Sequence, residues 1–190
     1  MNLCSQIEHY VPLNEQEEAD KREILAWLGS GMDVFSRACA AAHLTASAWV
    51  VSPDRKSALM VYHNIYNSWS WMGGHADGMT DLHEAAKKET CEECGLRTLK
   101  SLGDDIFSIE VLTVDGHEKR GKYVSSHLHL NATYLFEADP AAPVFMKPDE
   151  NSGVCWIPVD EIQGKVSEKW MYQRIYSKLI DRVRRDFSPK

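Results

Sequence analysis

Long apolar runs are missing from this sequence. No stretch approaches the roughly 20 consecutive apolar residues that a membrane-spanning helix needs, so we expect no membrane span. Cysteine is also scarce: the five residues are odd in number and lack framework spacing, which is typical of a reducing compartment. The first ten residues include Glu8 and His9 and show no basic-then-apolar secretory pattern. We therefore expect a cytoplasmic protein.

Positive charge is limited as well. The 21 basic residues are outnumbered by 28 acidic ones, and the net charge of −7 opposes binding to a nucleic-acid polymer or to an anionic membrane. We expect a small-molecule partner instead, with a cation screening any phosphates that it carries. The hydrophobic fraction of 44% and the length of 190 residues indicate one folded, soluble domain rather than a disordered or coiled-coil chain.

The N-terminal half of the chain changes from helical to strand periodicity. Apolar residues in a polar segment predict an amphipathic helix over residues 14–29, and we expect a second short helix to follow at 33–42. Segments rich in Val, Trp, Leu and Tyr follow, and they predict strands at 45–51, 58–63 and 68–72. Because Pro, Asp, Arg and Lys separate the first two strands, we expect these strands to form a hairpin.

A glycine-containing loop precedes the best-defined helix of the sequence. Residues 73–78 form this predicted loop, and Thr80 or Asp81 is the expected helix cap. The helix should end at Cys94, because Gly95 stands where a left-handed residue commonly terminates a helix.

Strand patterns return in the C-terminal half. The predicted strands are 106–114, 123–137 and 154–157, with a polar turn at 115–122 and a final helix at 167–185. In the longest strand, period-two alternation places His127 and His129 on the face opposite to Leu128 and Leu130.

Three glutamates share one face of the predicted helix. Glu89, Glu92 and Glu93 stand at positions i, i+3 and i+4, so their Cβ atoms are about 5–6 Å apart. A bound cation would relieve their mutual repulsion near the negative end of the helix dipole. Carboxylate ligands that leave several waters in place are typical of a magnesium site that meets phosphate oxygens. A charge run is also a common solvated helix face, but the preceding glycine loop indicates a concavity beside these glutamates.

The spacing around the glutamates resembles the Nudix box. Without a gap, the chain follows the family pattern G-x5-E-x7-R-E-U-x-E-E-x-G-U, where U is aliphatic, at Gly74, Glu89, Glu92, Glu93 and Gly95. The resemblance implies an α/β fold, an α/β/α sandwich with a mixed sheet, here with added N-terminal helices and a C-terminal helix. We expect residues 1–42 to form a helical extension and residues 43–190 to form one compact Nudix-like domain.

Three positions of the box depart from the pattern. Thr80 stands in place of glutamate, Lys88 in place of arginine and Thr90 in place of an aliphatic residue. Lys88 keeps a positive charge but cannot make the two-pronged contact of arginine with a carboxylate. Thr80 cannot bind metal as an anion. These departures concern metal affinity and rate more than they concern the fold.

The resemblance also implies a cofactor and roles for several residues. The cofactor is Mg²⁺ or Mn²⁺, and the reaction is the attack of water on a diphosphate bond. By position, Glu89 and Glu93 are the expected metal ligands, and Glu92 is either a ligand or the group that orients the attacking water. We count Lys88 among the catalytic residues because of its charge. Glu150 is a candidate base or further ligand, although a solvated loop acid is at least as good an interpretation.

Candidates for substrate binding lie outside the glutamate helix. They come from the loop of the box, the long strand and the basic turn, and they are Gly74, His75, Asp77, His127, His129, Lys119 and Arg120. Purely structural roles stay open for all of them, and His127 with His129 could also chelate a metal. Cys91 and Cys94 could indicate zinc, but no second pair completes the ligand set, so packing is the default interpretation.

These expectations favour a metal-dependent hydrolase that cleaves a diphosphate bond in a nucleotide derivative or a related metabolite. One alternative is a domain of the same fold that binds a nucleotide without hydrolysing it, which the departures at Thr80 and Lys88 favour. A weaker one is an isomerase of isopentenyl diphosphate. The sequence does not identify the substrate, nor does it decide whether the N-terminal helices cover the site or form a homodimer.

Overall fold

A computed structural model describes residues 2–119 and 121–188, and the backbone alone of Lys119. The chain divides into two compact units. The first unit comprises Met1–Ala46, Gly74–Ala85 and Asp105–Tyr134, and the second comprises Ser47–Gly73, Ala86–Asp104 and Leu135–Lys190. The expected division of the chain at residue 42 stays a prediction, since these units follow a different partition.

Helices and strands alternate irregularly along the chain. The helices are α1 Leu3–His9, α2 Glu15–Leu28, α3 Leu82–Cys94, α4 Ile162–Lys165 and α5 Ser177–Asp186, and a π-helical segment at Met171–Tyr176 directly precedes α5. The strands are β1 Ala42–Val51, β2 Ser57–His63, β3 Ser68–Ser70, β4 Met72–His75, β5 Lys100–Ser101, β6 Ser108–Val114, β7 His117–Lys119, β8 Lys122–Val124, β9 His127–Glu137 and β10 Asn151–Pro158. None of the described helices is long and apolar enough to span a membrane.

In the first unit, the strands lie in the order β4-β1-β9-β6, and β7 with β8 forms a separate hairpin. Strand β6 runs antiparallel to β9, from Ser108 opposite Thr133 to Val114 opposite His127. Helix α2 packs on β6 and exchanges polar contacts with its backbone. The Val111 N–H donates to Asp20 Oδ2 at 2.9 Å.

A buried polar network joins α2 to this part of the sheet. Glu17 and Glu110 are fully buried, with 0% of their surface exposed. Ser108 Oγ lies between two carboxylate oxygens, 3.0 Å from Glu17 Oε1 and also within hydrogen-bond distance of Glu110 Oε1. Asn131 and Thr133 donate to Glu110 Oε2 at 2.8 and 3.0 Å. Since buried carboxylates are costly unless they accept hydrogen bonds, this network fixes α2 against the strands.

In the second unit, β2 lies between β1 and β10 and is antiparallel to both. Strand β3 also pairs with β2, and β5 pairs with the last residues of β9. Aromatic side chains fill the core of this unit: Trp49 stacks on Tyr176 at a ring distance of 5.5 Å, and Trp71 meets the same tyrosine edge-on at 5.4 Å. The buried side chains of Leu179 and Val183 continue this apolar face along α5.

Several predicted elements are confirmed, including α2, α3 and the hairpin of β1 and β2. The helix predicted over 33–42 is wrong, because this segment forms successive turns and β1 already begins at Ala42. The physical reason is local: Asp33 Oδ1 accepts from the Phe35 N–H, and Ser36 Oγ accepts from the Ala38 N–H. Such side-chain bonds satisfy the backbone in turns and compete with a helix.

Four further boundaries differ from the predictions. The predicted loop 73–78 begins as part of β4, and the predicted turn 115–122 contains the hairpin of β7 and β8. The strand predicted at 123–137 is divided into β8 and β9, and the final helix contains the π-helical segment. Helix α1 was not predicted, although Asn2 accepts a hydrogen bond from the Ser5 N–H at 2.9 Å and so provides an ordinary helix cap.

Candidate active site

Helix α3, which carries the three glutamates, has both of its predicted end signals. The Asp81 carboxylate accepts a hydrogen bond from the Glu84 N–H at 3.1 Å and caps the first turn. At the other end, Gly95 has a φ of +73°, and its N–H donates to the Cys91 carbonyl at 2.9 Å. This left-handed residue ends the helix directly after the glutamates.

Gly95 is also a point of close packing. A Cβ atom at this position would lie 2.8 Å from Cδ2 of Phe145, and the Phe145 N–H donates to the Cys94 carbonyl at 2.8 Å. The segment that leads from Phe145 to Glu150 is therefore attached to the end of α3 by a backbone hydrogen bond and by close packing of Phe145 on Gly95.

The three glutamates differ in exposure. Glu93 is buried, Glu89 is half-buried and Glu92 is exposed. The Lys88 ammonium lies 3.7 Å from Glu92 Oε1, and both side chains are open to solvent. This ion pair spans one helical turn at the surface, where such pairs contribute little to stability.

Glu93 occupies the most unusual position of the three. Burial, together with the charges of Glu150 and Glu89, raises the pKa of Glu93 to about 8, against a hydrogen bond from the Gly73 backbone. Its Oε2 atom is buried and accepts no hydrogen bond from any described residue. A carboxyl group in this environment favours its neutral form until a cation compensates the charge.

Glu150 is located beside the glutamates of α3. It lies in the turn directly before β10, and its Oε2 is 3.0 Å from the Lys147 ammonium. Burial raises the pKa of Glu89, and the negative charges of Glu92 and Glu150 raise it as well. The sequence did not indicate Lys147, which is positioned by the turn that brings Glu150 to this place.

The carboxylates fit a divalent cation by their chemistry, and the unpartnered Oε2 of Glu93 marks where a ligand atom is available. Their oxygen atoms do not converge closely, however. Among the described residues, the group with three ligand atoms within 4.8 Å of one another consists of histidines and not of these glutamates. Like charges repel each other, and Lys88 and Lys147 draw Glu92 and Glu150 toward themselves.

The histidine cluster, which consists of His43, His75, His127 and His129, belongs entirely to the first unit. The ring centroids of His43, His75 and His129 are 5.0–5.1 Å apart. His127 stacks on His43 at 4.8 Å. His43 lies in β1, His75 in β4 and the other two in β9, so the pairing of these strands assembles the cluster.

Two rings of the histidine cluster, His43 and His129, lie where the neutral form is favoured. Burial, together with the charges of His75, His43, His127 and His117, lowers the pKa of His129 to about 2. Burial likewise lowers the pKa of His43. The sequence singled out three of the four rings but not His43, which is isolated in the sequence and joins the others only through the sheet.

The remaining predicted residues have diverse environments. Gly74 lies in β4 and Lys119 in β7, while Arg120 lies outside the described residues. Asp77 forms a two-pronged ion pair with Arg37 at 2.7 and 2.8 Å, so its carboxylate is already engaged. Thr80 is exposed.

Thr90 and Cys94 have structural roles within α3. Both side chains are buried and bond to the carbonyl four residues earlier, Thr90 to Ala86 at 2.8 Å and Cys94 to Thr90 at 2.9 Å. Burial raises the pKa of Cys94 to about 11, which disfavours the thiolate that zinc requires. Thr90 thus replaces an aliphatic residue without leaving its hydroxyl unpaired.

The family model of the NUDIX domain matches residues 41–180. The chain belongs to the Nudix family. Its membership makes the protein a Nudix-type pyrophosphohydrolase, an enzyme that acts on phosphoric anhydrides. We find no match among curated proteins.

Solved structures share the fold of this chain. A NUDIX-family hydrolase from Clostridium perfringens has 17% identity and a TM-score of 0.51, covering 73% of this chain and 96% of its own. The MutT protein of Methanosarcina mazei has 17% identity and a TM-score of 0.52, covering 76% and 96%. The dihydroneopterin triphosphate pyrophosphohydrolase of E. coli has 13% identity and a TM-score of 0.54, covering 73% and 94%. The predicted α/β Nudix fold is confirmed.

Proposed function

We propose that this enzyme hydrolyses a diphosphate bond in a nucleotide derivative or a related small metabolite, using a divalent cation held by carboxylates of α3. The observation that carries the proposal is Glu93. Its buried Oε2 has no hydrogen-bond donor among the described residues, and the neighbouring charges of Glu89 and Glu150 oppose its ionisation. Such a group is stable as an anion when a cation lies against it.

Each acidic residue has a distinct role in this proposal. Glu89 and Glu93 hold Mg²⁺ or Mn²⁺, which when bound neutralises phosphate oxygens and lowers the pKa of water. Glu92 orients the attacking water, and Glu150 accepts its proton while the Lys147 ion pair holds the carboxylate in place. Lys88 keeps positive charge beside Glu92. The water oxygen bonds to phosphorus as the bridging P–O bond breaks, and a phosphorylated product leaves.

Substrate binding in this proposal uses residues outside the glutamates of α3. We propose that Gly74, His75, Asp77, His127, His129, Lys119 and Arg120 contribute to its binding. One structural relative is named for dihydroneopterin triphosphate, which supports including nucleotide-like triphosphates among the candidates for this chain. The net charge of −7 favours a small phosphorylated substrate over a nucleic-acid polymer.

A substrate panel tests this function. Nucleoside diphosphate derivatives and nucleotide-like triphosphates are incubated with Mg²⁺ or Mn²⁺, and phosphate products are measured. We expect Glu93→Gln to lower kcat by at least about 100-fold, because it removes the buried anion from the metal site. Glu84→Gln, which changes an exposed glutamate in the first turn of the same helix, is the matched control and should keep full activity. Turnover of no panel member, or unchanged turnover by Glu93→Gln, would contradict the proposal.

A nucleotide-binding role without hydrolysis remains the second candidate. The exposed Thr80 in place of an acid and the surface pair of Lys88 with Glu92 favour it. Calorimetric titration with each panel member separates the two functions. Binding with complete recovery of intact ligand favours the binding module, whereas product release favours the hydrolase.

We further propose a cytoplasmic location, which the free state of all five cysteines supports. Formation of a homodimer through the N-terminal helices stays a prediction.

A further inference from the structure

The histidine cluster of the first unit has no part in holding the cation proposed at the carboxylates, although three of its rings are proposed to contact the substrate. One ligand nitrogen from each of His43, His75 and His129 lies within 4.8 Å of the others. Three separate strands deliver these rings to one place, and His43 is buried there with 5% of its surface exposed. Burying polar imidazole rings costs more free energy than burying aliphatic side chains. Several buried or half-buried imidazoles in one place therefore indicate a binding role rather than core packing.

We propose that His43, His75 and His129 bind one divalent transition-metal ion of the class represented by Zn²⁺. Imidazole nitrogens prefer zinc, copper and nickel, whereas Mg²⁺ prefers oxygen ligands. Three protein ligands are the pattern of zinc sites that retain one open coordination position. The proposal does not depend on the function proposed for the carboxylates.

His43 provides an independent observation in favour of a ligand. Its Nε2 atom is buried and has no hydrogen-bond partner among the described residues. Its Nδ1 lies 3.2 Å from the Cys39 carbonyl, which can only accept, so the ring proton resides on Nδ1. Nε2 therefore carries a free lone pair. Histidines that bind metals commonly donate their other ring N–H to a carbonyl in this way.

His127 positions the third ring of the site. Its Nδ1 lies 2.8 Å from the Ser125 carbonyl and therefore carries the proton. In the neutral ring, Nε2 then accepts from His129 Nε2, which lies 3.3 Å away. That donation leaves Nδ1 of His129 without a proton and available as an acceptor or a ligand. His127 thus sets the tautomer of His129 without being a ligand itself.

The distances suit the ion after a small adjustment. A Zn–N bond of about 2.0–2.1 Å separates two ligands of a tetrahedral site by roughly 3.3 Å. The widest separation of the three nitrogens, 4.8 Å, is larger by about 1.5 Å, which side-chain rotation of the half-buried His75 and His129 can supply.

Metal binding to the full-length chain tests the proposal. The chain is treated with a chelator, dialysed and titrated with Zn²⁺ in a calorimeter, with a large excess of Mg²⁺ present to occupy oxygen ligands. We expect one Zn²⁺ per chain. In a parallel sample Co²⁺ should show the intense visible absorption of a tetrahedral site. No saturable binding, or displacement of Zn²⁺ by Mg²⁺, would overturn the proposal.

Variants locate the ion. His75→Gln and His129→Gln should each weaken Zn²⁺ binding by at least about 100-fold, and His127→Gln, which loses only the orienting contact, by about tenfold. His9→Gln changes an exposed histidine of α1 and should bind Zn²⁺ like the unaltered chain. Equal losses in His9→Gln and His75→Gln, or no loss in His75→Gln and His129→Gln, would assign the ion to another place.

A measurement without substitutions covers the case in which a variant fails to fold. Addition of Zn²⁺ to the unaltered chain should shift the ring-nitrogen NMR signals of three histidines. We expect these to be His43, His75 and His129. Shifts confined to other histidines would contradict the proposal. Glu93→Gln should retain the same Zn²⁺ affinity, so that a failure of the carboxylate mechanism is distinguishable from a failure of this site.

Discussion

The carboxylates of the second unit and the histidines of the first respond to burial in opposite directions. Burial raises the pKa of Glu93 to about 8 and lowers that of His129 to about 2, which in both cases favours the neutral form. Each cluster also contains one buried atom without a hydrogen-bond partner among the described residues, Oε2 of Glu93 and Nε2 of His43. Burial alone therefore does not decide what each cluster binds; the ligand atoms do.

The type of ligand atom also explains how closely the side chains of each cluster lie together. Burial favours the neutral rings of His43 and His129, which do not repel a neighbour as ions would, and nitrogens of His43, His75 and His129 lie within 4.8 Å of one another. Ionised carboxylates repel, and Glu92 and Glu150 each contact a lysine instead. We infer that the histidines are arranged in advance for an ion, whereas the carboxylates need the ion to bring them together.

The largest effect should come from comparing one substitution in the carboxylate cluster with one in the histidine cluster. Glu93→Gln should lower kcat by at least about 100-fold and leave Zn²⁺ binding unchanged, whereas His129→Gln should weaken Zn²⁺ binding by at least about 100-fold and affect hydrolysis through KM rather than kcat. Activity assays and Zn²⁺ titrations on both variants measure this. Loss of Zn²⁺ binding in Glu93→Gln, or an equally large loss of kcat in His129→Gln, would show that the clusters are not independent.

The second-largest difference between the clusters should be the release of protons when a metal ion binds. Below the pKa of about 8, Mg²⁺ must displace a proton from Glu93, so its affinity should rise about tenfold per pH unit from pH 6 to 8 and then level off. In the metal-free protein, the neutral Glu93 stabilises the fold fully below its unfolded pKa near 4.5, and this contribution is lost as the pH rises through 8. The His129 ring is already neutral over this range and adds no such slope to Zn²⁺ binding. Titrations at several pH values check both statements, and a flat Mg²⁺ profile would contradict the first.

A support of the carboxylate cluster can be weakened without changing a carboxylate. Gly95→Ala places a methyl group 2.8 Å from Phe145 at a φ of +73°, and we expect it to cost about 1–3 kcal/mol of unfolding free energy. Gly103→Ala, where a Cβ would meet no atom within 4 Å, is the matched control. Urea denaturation measures the difference. Hydrolysis should fall in Gly95→Ala while Zn²⁺ binding persists, and equal stability of the two variants would contradict the packing argument.

The smallest effect concerns the surface charge beside Glu92. Lys88→Arg restores the residue of the family pattern, and we expect kcat to change by less than about fivefold, since an exposed ion pair contributes about 0.2–1 kcal/mol. Steady-state kinetics on the best panel substrate measure it. A gain of a hundredfold would show that Lys88 limits the reaction directly.

Local signals explain which parts of the molecule could be predicted. The cap at Asp81, the left-handed Gly95 and the glutamates at i, i+3 and i+4 all depend on neighbours within a few residues, and α3 formed as expected. The histidine cluster depends instead on the register of strands far apart in the sequence. Without that register His43 could not be connected to His129.

The incorrect helix at residues 33–42 has a related explanation. We expected a second short helix after the first, but side-chain bonds of Asp33 and Ser36 to nearby N–H groups stabilise turns instead. The individual roles of Glu89, Glu92, Glu93 and Glu150 stay predictions, because a helix face fixes where carboxylates lie and not which of them accepts a proton.

The buried Glu17 places a limit on where this protein can be divided. The family match begins at residue 41, yet the carboxylate that accepts from Ser108 comes from α2, well before that point. A chain shortened to the matched region would open the polar interior around Glu110 to water and remove the helix that covers it. A fusion of this Nudix domain to another protein must therefore retain its first 28 residues.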